Sequence, residues 1–88
     1  MQTFARQRRP LSAEPLGDMA TVYVELLDEG TICWRSVMAT WVAWNHFRLS
    51  GPVPKTEVWA FQPGEVVACR PKLFQDRRVG LVAYKRVA

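Results

Sequence analysis

The chain has 88 residues, a net charge of +4 and 49% hydrophobic residues, among them four Trp, four Phe and two Tyr. A chain this small makes one domain and buries only about 60% of its unfolded surface, so a dense aromatic core must hold it folded, and complete disorder is excluded. No apolar run approaches the ~18 residues a membrane span needs, and the N-terminal arginines have no apolar stretch behind them, so a soluble, unexported, cytoplasmic protein without a membrane partner is expected.

Residues 1–18 show no sustained period and contain Pro10, Pro15 and Gly17. They are expected to form a flexible basic arm, with residues 19–88 as the folded domain. Arg6, Arg8 and Arg9 would anchor such an arm on phosphate or simply be solvated. Regular pattern begins just after Met19, which also suits Met19 as the natural start, with the arm an upstream extension.

Val22, Val24 and Leu26 alternate with Tyr23 and Glu25, the signature of a half-buried first strand over residues 20–27. Asp28-Glu29-Gly30-Thr31 supplies its turn, and an extended pattern restarts at Ile32. Residues 36–48 are ambiguous. Trp34, Val37, Met38, Trp41, Val42 and Asn45 recur at helical spacing, with Ser36 as an N-cap and Gly51 as a stop. Their Val, Thr and Trp content favours instead two strands, 32–41 and 46–50, joined by an apolar turn near Val42-Ala43-Trp44-Asn45.

Gly51-Pro52-Val53-Pro54 is a rigid corner that cannot continue a ladder. Glu57 to Phe61 returns to extended apolar residues, and Pro63-Gly64 turns the chain into a last hairpin. Its two arms are residues 65–70 and 79–86. The whole is expected to be all-β, a small five-stranded barrel or sandwich of SH3-like or OB-like form, with Val22, Val24, Leu26, Trp34, Trp59, Val67 and Leu81 in the core.

The segments Val22 to Thr31, Trp34-Arg35, Gly51 to Pro54, Trp59 to Val67 and Gly80 to Ala83 together resemble a family of small, uncharacterised bacterial single-domain proteins over about residues 20–86. The resemblance implies a bacterial, cytoplasmic, all-β domain and brings no activity or site residues with it. In similar chains the middle turn is polar and glycine-containing and the last hairpin is often acidic. Here they read Val42-Ala43-Trp44-Asn45 and Arg70-Pro71-Lys72.

Catalytic chemistry has little to work with. His46 is the single histidine, there is no nucleophile elbow, and neither a phosphate loop nor a metal-ligand spacing occurs. Cys33 and Cys69 fit neither a zinc site nor a disulfide framework and are expected to be buried free thiols. The expectation is a non-enzyme without cofactor or metal.

Two binding surfaces follow from the side chains. Trp41, Trp44 and Phe47 around the apolar middle turn would anchor a protein partner or a second copy of the chain. Alternatively, residues 70–88 carry Arg70, Lys72, Arg77, Arg78, Lys85 and Arg86 against Asp76 alone. There Arg70, Lys72, Phe74, Arg77, Arg78, Tyr84 and Arg86 would bind single-stranded RNA or DNA, cations tracking phosphate and rings stacking on bases.

Overall fold

A computed structural model describes residues 17–88. The arm reading for residues 1–18, including Arg6, Arg8 and Arg9, therefore lies almost wholly outside the described residues. Every regular element among the described residues is a strand: β1 (Met19–Leu26), β2 (Cys33–Ala43), β3 (His46–Leu49), β4 (Val66–Leu73) and β5 (Val79–Arg86). The all-β, five-stranded expectation holds. The helical alternative for residues 36–48 does not, because this stretch is divided between β2 and β3.

The strands follow one another as a meander in which each consecutive pair is antiparallel. Direction alternates at every turn, so the first and fifth strands run the same way. Closing the sheet into a ring therefore requires a parallel contact, and Tyr23 opposite Val82 provides it. Closure removes most of the exposed edge that an open sheet of this size would present.

β2 is the long strand that makes closure possible. Cys33 to Thr40 pair with β1, whereas Ala39 to Ala43 pair with β3, so one strand passes from one partner to the next. The register slips between Trp41 and Ala43, leaving Val42 as a bulge that sharpens the bend. Trp44 and Asn45 then form the two-residue turn into β3, with Trp44 in the left-handed region at φ 43°.

Alternation places Val22, Val24, Val37, Ala39, Phe47, Leu49, Val67, Cys69 and Ala83 in one core, with Leu26 and Leu81 packed against it. Trp59 joins them from the long β3–β4 connection. Glu57 to Phe61, expected to be extended, form only an isolated bridge, Trp59 to Leu26. It is flanked by Leu27 N–H to Val58 C=O at 2.7 Å and Ala60 N–H to Glu25 C=O at 2.9 Å. Pro52 and Pro54 keep the preceding chain out of a longer ladder.

Arg35 stands opposite Val24 and so on the core side by register. It escapes burial by reaching Glu57, whose side chain is 9% exposed. Glu57 accepts from Arg35 Nε at 3.1 Å, from Arg35 Nη2 and from Trp59 Nε1 at 3.0 Å. The Arg35 hydrogen bonds, then that of Trp59, hold the Glu57 carboxyl below its ordinary range. This charged clasp fixes the indole that fills the core, since a carboxylate so enclosed must be fully hydrogen-bonded.

Beyond Ala68, β4 leaves β3 behind, and Asn45 takes over as partner. Cys69 N–H donates to Asn45 C=O at 2.8 Å, and Asn45 Nδ2 donates to Cys69 C=O at 2.9 Å. Backbone direction alternates along a strand, so Pro71, two residues on, faces the same open side. Its missing N–H falls on the side that no strand among the described residues pairs, and proline there prevents another strand from pairing.

Candidate functional site

The far half of β4, with β5, β1 and the start of β2, presents a common outer face. Arg70 lies opposite Val82 and Lys72 opposite Gly80. Tyr23 lies opposite Ser36, and Glu25 opposite Trp34, outside the row of Val22 and Val24. Trp34, expected in the core, is by register an outward residue. Tyr23, Trp34 and Phe74 are all half-buried on this outer side.

These rings touch one another. Tyr23 and Phe74 have centroids 4.9 Å apart at 53°, and Trp34 meets Phe74 edge-on at 6.2 Å and 80°. Gly80 allows it: a Cβ there would lie 2.7 Å from Tyr23 Cε1 and 3.0 Å from Phe74 Cε2. The absence of a side chain on the central outer position of β5 is what lets two rings lie over the strand.

Cations sit against this aromatic surface. Lys72 Nζ is 6.0 Å from the Trp34 ring centroid and 5.9 Å from that of Phe74, and Arg70 Cζ is 4.7 Å from that of Tyr84. These distances fall within reach of cation–π attraction, which orients the charged heads while leaving them in water. From β4 into the turn that follows it, the outer face reads Arg70, Lys72, Phe74, a cation, a cation and a ring at every second residue.

The β4–β5 turn completes the site. Phe74 N–H donates to Arg78 C=O at 2.8 Å, and Arg77 N–H donates to Phe74 C=O at 3.0 Å. That is a three-residue loop with its left-handed position filled by Arg77, φ 73°, where glycine is usual. Asp76 accepts from the Arg78 backbone N–H at 3.2 Å and from Arg78 Nε at 2.6 Å. The Arg78 backbone bond, then its guanidinium, holds the Asp76 carboxyl below its usual range, and Asp76 in turn raises Arg78. A groove of about 490 Å³ lies between this turn and the start of β2, lined by Trp34, Lys72, Phe74, Gln75, Asp76 and Arg78, with Ile32 and Leu73 at its apolar margin.

Of the residues singled out from the basic hairpin, Arg70, Lys72, Phe74 and Tyr84 share this face, and Arg78 closes the groove. Arg77 projects from the turn. Arg86 is committed to Glu65 at 3.1 Å. Tyr23, Trp34, Gly80 and Asp76 were missed. The alternation of Tyr23 and Glu25 against Val22 and Val24 marks Tyr23 as outward, but Trp34 is shown to be outward only by its pairing with Glu25 across the turn.

The set Trp41, Trp44 and Phe47 does not form one surface. Phe47 is 7% exposed and belongs to the core, so it is unavailable to a partner. Trp41 is half-buried, packed against the core, and donates its Nε1–H to Trp44 C=O. Trp44 alone is an exposed ring, at 84%, resting edge-on against His46 at 6.0 Å. The reason is parity: Phe47 faces Val67 and Trp41 across the ladder, whereas Trp44 caps the turn.

Cys33 and Cys69 are free thiols. Cys69 is buried as expected, and burial pushes its thiol up to about 11, whereas Cys33 is only half-buried. Among the described residues no three His, Cys, Asp or Glu side chains are grouped to hold a metal, and no helix is long and apolar enough to cross a membrane. Comparison with protein-family models, with curated proteins and with solved structures finds no match for this chain.

Proposed function

We propose that this protein is a non-catalytic binding module that holds single-stranded nucleic acid on the outer face of β4 and β5. One observation carries the reading: Arg70 on Tyr84, and Lys72 on Trp34 and Phe74, set cations and rings side by side on one face, the second group lining a groove. Single strands need both, since phosphates are neutralised by cations and unpaired bases stack on aromatic faces. Small β-barrels of the OB kind use this chemistry on a comparable sheet face. The cytoplasmic setting expected from the sequence belongs to the same proposal. The family resemblance of residues 20–86 carries no activity and does not bear on the choice of partner.

The test is fluorescence anisotropy with single-stranded RNA and DNA across a salt series, comparing the parent chain with Arg70→Glu/Lys72→Glu. Affinity is expected to fall log-linearly with salt and to collapse in the double variant. No anisotropy change at micromolar protein and low salt would eliminate the reading.

Trp44 supports a second reading, a protein partner or self-association through the β2–β3 turn, because an indole this exposed at a turn tip has no role in the core. With Phe47 buried, the anchor is one ring rather than three. Trp44→Ala would then change oligomeric state or partner capture while leaving nucleic-acid affinity untouched.

A further inference from the structure

We infer that the groove between Trp34 and the β4–β5 turn selects guanine among the bases of a bound single strand, with Asp76 and Arg78 reading the base edge. The inference rests on the nucleic-acid reading above and narrows it to one base. The groove has two chemically distinct parts. Trp34, Phe74 and Lys72 supply ring faces and a cation, which any nucleotide would accept. Gln75, Asp76 and Arg78 form the other part, where hydrogen-bonding groups replace apolar ones.

That polar part discriminates. Asp76 is ionised and therefore an acceptor only, and its two bonds to Arg78 leave lone pairs on both oxygens. A carboxylate needs a base edge rich in donors. Guanine alone offers two neighbouring donors, N1–H and the N2 amino group, on one edge. Uracil and thymine would set two carbonyl oxygens near it. Arg78 spends Nε on Asp76 and keeps further N–H groups, which suit the O6 and N7 acceptors that guanine also carries. Acceptor and donor are thus held next to each other in a fixed pair, as a guanine with both edges in play requires. The exposed positions of Asp76 and Arg78 leave them accessible to a base entering from solvent.

The experiment measures anisotropy with a short oligouridine strand whose central position is guanosine, inosine, adenosine, cytidine or uridine, on the full chain and on Asp76→Asn. The parent is expected to bind the guanosine strand roughly tenfold more tightly than the adenosine, cytidine and uridine strands, the size of one bidentate base contact. Inosine, which lacks the N2 amino group, should lose most of that gain. Asn keeps a side-chain acceptor for the Arg78 backbone N–H, so the turn is preserved. Asp76→Asn is expected to remove the advantage of guanosine over inosine, a loss of discrimination between strands that misfolding, which weakens all five alike, would not give. Equal affinity of the parent for all five strands, or a preference for guanosine over inosine that survives Asp76→Asn, would overturn the inference and leave general single-strand binding intact. Absence of binding to every strand would remove the nucleic-acid reading and this inference with it.

Discussion

Gly80 lies directly beneath the Tyr23 ring, so close that a Cβ on it would come within 2.7 Å of Cε1. The contact ties β5 to β1 near the parallel closure at Tyr23 and Val82, and it sets the height of the aromatic surface that Phe74 shares. Gly80→Ala must push Tyr23 or Phe74 aside. It is expected to cost about 1–3 kcal/mol of stability, the usual range for overpacking, and to weaken nucleic-acid binding at the same time. Urea denaturation and anisotropy on one preparation check this, and full stability with unchanged affinity would contradict it.

Phe47 and Trp44 are both ring residues within one hairpin, yet their burial assigns them opposite roles. Phe47→Ala is expected to destabilise the fold by about 3–5 kcal/mol, as large core truncations do. Trp44→Ala should stay within roughly 0.5 kcal/mol of the parent. Thermal denaturation of the two variants separates them directly.

Arg77 holds a left-handed conformation that glycine adopts without steric cost. Arg77→Gly is expected to stabilise the hairpin by on the order of 1 kcal/mol, the lower end of what such a backbone conformation costs. If the charge serves phosphate binding, the same substitution reduces the salt slope by about 0.7, the value for one contact on a single strand. A stabilised variant with an undiminished slope would place Arg77 outside the interface.

The response to pH follows from Cys69 and Glu57. Burial raises the Cys69 thiol from an ordinary 9.0 to about 11, so the unfolded chain releases its proton first. Its contribution is fully present below about pH 9 and is lost as pH rises toward about 11. Comparing urea midpoints of the parent and Cys69→Ala on either side of that window isolates the effect. Glu57 is lowered by Arg35, then Trp59, so its contribution is present above the ordinary 4.5 and is lost as pH falls through the folded value. Glu57→Gln should flatten the acid limb of the stability profile.

The strands were legible where one alternating face met one core, as with Val22, Val24 and Leu26. The Trp44 turn was legible only as a position, because its residues carry no glycine or proline signal and the bulge at Val42 is invisible in composition. Residues 57–61 have strand chemistry without a strand. The Arg35, Glu57 and Trp59 clasp, which joins residues distant in sequence, decides their path. The basic half of the site could be read from the hairpin alone, since Arg70, Lys72 and Phe74 share parity. Its aromatic half could not, because Tyr23 and Trp34 come from the opposite end of the chain and reach Phe74 only when the ring closes.

Single-strand binding on this face needs rings and cations acting together at one groove, and comparing Trp34→Ala with Lys72→Ala in a salt series of single-strand anisotropy tests that most directly. Trp34→Ala is expected to weaken binding by about 1–3 kcal/mol at every salt concentration, with the slope unchanged, because stacking releases no counterions. Lys72→Ala should instead lower the slope by about 0.7. Affinity and slope that stay at the parental values in both variants would contradict binding at this groove.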